Sequence, residues 1–167
     1  YTLRGDLYSI DVDSKRIVRH TFDGSDLILN GYASWVYYEE ILGRSSRYKS
    51  FWWSPDSKMI AFYRYDNSGV PMFPIYDARG QHGSINRTRY PKCGDTNPQV
   101  KVGFVSVNGG EIIWADFDEK VDQYFGIPFW NGDGDRFMVG WMDRSQDNYI
   151  LYSVDPQYGN KYEVYKE

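Results

Sequence analysis

The sequence predicts an all-β fold: a partial β-propeller of about two to two and a half four-stranded antiparallel blades, with one short helical insertion. Three observations carry that reading. Aromatic residues make up 19% of the 167, with 16 Tyr and 6 Trp beside 16 Gly, a composition that favours strands and tight turns over helices. Apolar and polar residues alternate in short runs bounded by Gly, Pro, Asn and Asp, as half-buried strands require. The third is a repeat. Trp53-Ser54-Pro55-Asp56 followed by Lys58, Ile60, Ala61 and Phe62 matches Trp130-Asn131-Gly132-Asp133 followed by Asp135, Phe137, Met138 and Val139. A unit of four meandering strands in ~40–50 residues, opened by a Trp-turn and repeated, is the sequence form of a propeller blade.

The elements follow in order. Residues 1–24 read as half a blade: 6–12 alternates, Asp13-Ser14-Lys15 turns, and 16–21 returns. Residues 30–50 read as the helical insertion. Residues 51–117 read as an enlarged blade, entered by Phe51-Trp52-Trp53 and turned at Ser54-Pro55-Asp56-Ser57 into a strong strand at 59–65. A further strand at 70–76 contains Pro71 and Pro74, which point to an edge or an irregular path. Between 77 and 98 there is little periodicity, so a long connection is expected near a site or an interface. A hairpin of 100–107 and 111–115 across Asn108-Gly109-Gly110 completes that blade. Residues 127–165 repeat the plan with strands at 136–142, 149–154 and 161–165. Trp53 and Trp130, at equivalent places in the repeat, are expected to pack between blades rather than to bind a ligand. Propellers close with about four to eight blades, so a longer parent protein is expected.

The chemistry concentrates in Ser34-Trp35-Val36-Tyr37-Tyr38-Glu39-Glu40-Ile41-Leu42-Gly43. The spacing predicts about three helical turns, with Ser34 as N-cap, Trp35, Tyr38 and Leu42 on one face, and Gly43 as terminator. Two adjacent carboxylates among large rings cost stability unless a cation offsets their charge. On a regular helix Glu39 and Glu40 point about 100° apart, so they meet one small cation only if the helix is irregular or the ligand bridges them. The competing reading is a solvated face whose acids pair with Arg44 or Arg47.

Composition excludes other functions. A net charge of −4 and a pI near 5.2, with scattered Lys and Arg, argue against nucleic-acid binding. The single Cys93 rules out an intrachain disulfide framework. No apolar run approaches the ~20 residues of a membrane-spanning helix. No Gly-x-Ser-x-Gly elbow is present, and His20 and His82 read as surface residues outside any Ser-His-Asp set. Asn131-x-Asp133-x-Asp135 opens like a calcium loop, but Arg136 stands where Gly is required and Met142 where the closing acid belongs. The sequence therefore predicts no catalytic residue, no metal and no cofactor in this chain. Asn86-Arg87-Thr88 is a formal glycosylation acceptor.

Trp35-Val36-Tyr37-x-Glu39-Glu40, then Trp52-Trp53-Ser54-Pro55-Asp56, then Tyr90-Pro91-Lys92-x-Gly94-x-x-Asn97-Pro98-x-Val100, in that order, resemble the N-terminal propeller of dipeptidyl peptidase IV and its relatives in the prolyl oligopeptidase superfamily. Phe129-Trp130 and Trp141-Met142-x-Arg144 fit as well. The resemblance implies an eight-bladed propeller over an α/β-hydrolase domain that carries the serine nucleophile. It implies that Glu39 and Glu40 lie on a short helical insertion and hold the free amino group of a peptide, from which Xaa-Pro or Xaa-Ala dipeptides are released. The partners implied are the peptide N-terminus, the remainder of the propeller and the hydrolase domain, and the setting is periplasmic or extracellular. Sheet edges uncovered at both ends predict self-association of the isolated chain. Tyr38 stands where animal members carry a further acid, and Gly43 where a small polar residue can line the pocket, which bears on side-chain preference. A tripeptidyl aminopeptidase of the same family and a non-catalytic protein-binding propeller are the alternatives.

Overall fold

The computed structural model describes residues 1–43 and 48–167. Three antiparallel sheets follow one another along the chain, with a small two-stranded arm beside them. The first sheet holds β1 (Thr2–Leu3), β2 (Asp6–Ile10) and β3 (Ile17–Arg19) in that order. Its turns are held by carboxylates. Asp11 accepts bonds from the Ser14 amide and hydroxyl at 2.7 and 2.6 Å, and buried Asp6 accepts from Thr21 Oγ1 and the Gly24 amide while pairing with Arg19.

His20 is a correction to the sequence reading. It is buried, not at the surface, because its amide continues the ladder to the Leu7 carbonyl (2.9 Å) and its ring turns inward to Ser9 Oγ, 2.9 Å from Nε2. His82, by contrast, is exposed.

The central sheet is built from β4 (Ile28–Asn30), β5 (Phe51–Trp53) and β6 (Met59–Asp66). The chain then leaves it for the arm, β7 (Met72–Asp77) and β8 (Ser84–Arg89), and returns as β9 (Gln99–Ser106) and β10 (Ile113–Trp114). Both faces of this sheet are buried, and alternate residues divide between them. Ile60, Phe62 and Val105 pack with Leu7 of the first sheet. Ala61, Tyr63, Tyr65, Val100, Val102 and Phe104 face the third sheet, meeting Phe125, Phe137, Val139 and Val154. Gly103 is required by this packing: a Cβ there would lie 2.8 Å from both Phe62 and Trp114 ring atoms.

The third sheet contains β11 (Gln123–Phe125), β12 (Phe129–Trp130), β13 (Phe137–Asp143), β14 (Tyr149–Val154) and β15 (Lys161–Lys166). The repeat seen in the sequence has the same hydrogen bonds in both copies. The Ser54 amide donates to the Met59 carbonyl and the Asn131 amide to the Arg136 carbonyl, at 2.9 and 3.0 Å. In return Ser54 Oγ accepts the Met59 amide and Asn131 Oδ1 the Arg136 amide, at 2.9 and 3.0 Å. Asn131 Nδ2 also reaches Asp135 Oδ1, so the calcium-like run is a turn that binds itself. Trp130 donates its indole N–H to the Trp52 carbonyl at 3.3 Å and packs on Phe104 and Phe137. Its counterpart Trp53 lines a crevice with Ile10 and Val18 of the three-stranded first sheet and keeps 45% of its surface exposed.

Strand β8 was not expected. The stretch 77–98 contains a strand because β7 and β8 pair over six positions, with Tyr76 opposite Ile85 and Ile75 opposite Asn86. Most of β8 is exposed, so no apolar alternation marks it in the sequence.

Candidate functional site

The two carboxylates stand on a loop inserted into the middle of a strand. Both β4 and β5 pair with β6, Asn30 opposite Arg64 and Phe51 opposite Phe62. Tyr63, between those partners, bonds to both ends of the break: its carbonyl accepts from the Gly31 amide and its amide donates to the Ser50 carbonyl. Residues 32–49 are therefore extruded at one point without skipping any residue of β6. The base of the loop is a short ladder, with Ser50 N–H on the Gly31 carbonyl, Tyr32 bridged to Lys49, and Ala33 N–H on the Tyr48 carbonyl. Tyr48 is stacked between Tyr32 and Tyr38, with ring centroids 4.8 and 3.7 Å away.

The three helical turns expected from spacing are replaced by about two, over residues 35–41. The Tyr38 amide bonds to the Ser34 carbonyl in α fashion, then the turn widens to a π-helical Tyr37–Ile41 in which Leu42 N–H reaches the Tyr37 carbonyl at 2.7 Å. Ser34 does stand at the N-cap position, just before the first helical residue, but its hydroxyl donates to Asn67 Oδ1 at 2.6 Å, tying the loop to the turn after β6. Gly43 does end the turn, at φ +74°, a left-handed conformation that glycine adopts at little cost. Single π turns inside helices recur at functional sites. Arg44 and Arg47, the candidate surface partners of the acids, lie outside the described residues.

Glu39 and Glu40 face different surroundings. Glu39 is half-buried on the side of the tyrosine stack: the Tyr48 phenol is pushed up by burial first, then by Tyr32, Tyr38 and the Glu39 carboxylate. Glu40 is exposed and lines a cavity of about 560 Å³ with Val36 and Ile41 of the turn, Tyr124 and Tyr149 of the third sheet, and Gln146 of the turn between β13 and β14. A larger cleft, about 740 Å³, opens between the loop base and the arm and includes Tyr32, Trp35, Arg87 and Arg89 but neither acid.

The cavity wall is anchored by residues far apart in sequence. Asn97 Nδ2 donates to the Tyr124 hydroxyl at 2.9 Å, and the Tyr37 hydroxyl accepts the Phe125 amide at 3.1 Å. Arg144 reaches the Asp95 carbonyl at 3.1 Å and lies over the Tyr124 ring. Trp35 of the acidic run meets Tyr90 of the Tyr-Pro-Lys run edge-on at 5.3 Å. Sequence reasoning found the acids but not Tyr37, Tyr124, Gln146 or Tyr149 as their neighbours, and no local signal marks them, since their relation depends on how two sheets dock.

Comparison with known proteins gives the family. The family model described as dipeptidyl peptidase IV (DPP IV) N-terminal region matches residues 1–166. The chain belongs to that family. A protein described as a probable dipeptidyl-aminopeptidase B from Phaeosphaeria nodorum is 29% identical over 170 residues, covering 93% of this chain and 18% of the relative. One of the same description from Chaetomium globosum is 35% identical over 128 residues, covering 70% of this chain and 14% of the relative. The chain thus spans less than a fifth of the length of these curated relatives. Among solved structures, Porphyromonas gingivalis dipeptidyl peptidase 4 superposes with a TM-score of 0.83 at 24% identity, over 99% of this chain and 23% of that one, which shows that this DPP IV N-terminal region has the same fold. Among the described residues no helix is long and apolar enough to cross a membrane.

Proposed function

We propose that this DPP IV N-terminal region is the substrate-recognition part of a serine dipeptidyl peptidase, in which Glu39 and Glu40 hold the α-ammonium of a peptide while Xaa-Pro or Xaa-Ala dipeptides are released. The observation that supports this most is the placement of Glu40, an exposed carboxylate on a π turn extruded from a strand, at the mouth of a cavity walled by Tyr124 and Tyr149. An ammonium has three donors, and two carboxylates together with phenolic oxygens can accept them. Charge-assisted bonds of this kind are about twice as strong as neutral ones. The nucleophile, its histidine and its aspartate belong to the hydrolase domain of the parent protein, so the 167-residue chain supplies binding and not bond cleavage. The rest of the propeller and that hydrolase domain are its proposed partners.

The test is Glu40→Ala, and separately Glu39→Ala, in the parent enzyme, with Asp11→Ala as an exposed acid remote from the turn. A bond to a charged group contributes ~1.5–3 kcal/mol, so kcat/KM on Xaa-Pro substrates should fall roughly 10- to 150-fold. Acetylating the substrate amine should mimic the loss. Wild-type efficiency in both glutamate variants, or equal cleavage of acetylated substrates, rejects the assignment.

A further inference from the structure

We propose that Tyr37 is a positioning residue: its phenol fixes the acid-bearing turn against the neighbouring sheet and so sets where the two carboxylates meet a peptide amine. The inference rests on the amine-recognition reading above. Tyr37 opens the π turn, and its carbonyl accepts the bond from Leu42 that widens it. Its side chain leaves the turn inward and is fully buried, edge-on to Tyr65 at 4.9 Å and to Tyr63 at 6.3 Å. Its hydroxyl accepts the Phe125 amide at 3.1 Å.

That amide has a telling place. Phe125 lies between Tyr124 and Gly126, both of which line the cavity that Glu40 opens into. One rigid side chain therefore joins the backbone that carries the acids to the strand that forms the opposite wall. The wall is held from its other side by Asn97 on Tyr124. A phenylalanine would fill the ring's volume but lose the bond and leave a buried amide without its acceptor, and the turn would be free to shift to satisfy it. Displacements on the scale of 1 Å at a binding group can cost about 10²-fold.

Tyr63 supplies the comparison. It is equally buried, and its hydroxyl donates across the same pair of sheets to the Gly126 carbonyl at 2.8 Å, but it extends from β6 and not from the acidic turn. The experiment measures, in the parent enzyme, inhibition constants for an aminoacyl pyrrolidide and for its desamino counterpart. Their ratio reports amine recognition and does not depend on the fraction of enzyme that is folded. Tyr37→Phe should lower the ratio roughly 10-fold or more, whereas Tyr63→Phe should lower the melting temperature and leave the ratio in place. An unchanged ratio in Tyr37→Phe overturns the proposal, as does an equal fall in Tyr63→Phe. Glu40→Ala in the same assay separates the two readings. If it leaves the ratio unchanged, amine recognition itself fails; if it lowers the ratio while Tyr37→Phe does not, only the positioning role falls.

Discussion

The central and third sheets are built on one plan and differ at one joint. In each, the strand beside the long middle strand comes in two pieces, β4 and β5 against β6, and β11 and β12 against β13. In each, a glycine amide at the break bonds to the middle strand, Gly31 to the Tyr63 carbonyl and Gly126 to the Gly140 carbonyl, both at 2.8 Å. The third sheet crosses the joint with Ile127 and Pro128, a small bulge between Gly126 and the Phe129–Met138 pair. The central sheet crosses it with residues 32–49, which carry the acids. The acids stand where the strand is interrupted in both copies, so the ladder of β6 is kept on both sides of the insertion. Bulges that terminate or re-aim a strand are found beside functional sites for this reason.

The comparison can be broken most severely by making the central sheet resemble the third. Joining Gly31 to Ser50 through a two-residue link removes both acids while leaving their flanking bonds to Tyr63 available. In the parent enzyme the discrimination in favour of free-amine substrates should fall by a factor on the order of 10²–10⁴, from two charge-assisted bonds of ~1.5–3 kcal/mol each. The β-sheet circular dichroism should persist, with a lower melting temperature from the lost burial of Tyr37. Collapse of the sheet signal would show that the insertion is part of the scaffold and not an addition to it.

A smaller effect tests the equivalence of the repeated turns. Ser54→Ala and Asn131→Ala each delete one side-chain acceptor for a backbone amide, at Met59 and Arg136. Each should cost about 1 kcal/mol in denaturant unfolding, and the two losses should be similar. A loss at only one would mean that the second turn is held by other groups.

The smallest effect concerns the first sheet. Burial is the leading reason that the His20 imidazole is held below its ordinary value. The unfolded chain takes up that proton near pH 6.5, and the folded chain only at lower pH. Between those values the unfolded state binds more protons, so stability rises with pH and is lost as pH falls through and below 6.5. Wild type should melt at a lower temperature at pH 5.5 than at pH 7.5, and His20→Gln should flatten that slope. An unchanged slope in His20→Gln would assign the dependence to other groups.

Much of the scaffold could be read locally. The strands at 59–66, 99–106, 137–143 and 149–154 were visible because each buries at least one face and so shows its period or a strong apolar run. Strands β1, β4 and β11 were not, since each has only two or three residues and pairing, not pattern, defines them. The helix was overestimated for a related reason. Tyr38 and Leu42 do pack against the central core, but Trp35 turns instead to Tyr90, and Tyr32 bridged to Lys49 closes the loop at its base, so tertiary contact and not spacing sets the length of the helix.

The sequence by itself determined the all-β class, the repeated Trp-turn blade, the acidic pair and the family resemblance, because composition, period and motif are properties of neighbouring residues. Only the tertiary structure decided that the acids are extruded from a divided strand, that their turn is π-helical, and that Glu40 faces Tyr124 and Tyr149 while Glu39 lies beside Tyr48. Those facts follow from the docking of one sheet on the next. The bonds that fix it, Tyr37 to Phe125, Tyr63 to Gly126 and Asn97 to Tyr124, join residues too distant along the chain for any local pattern to pair.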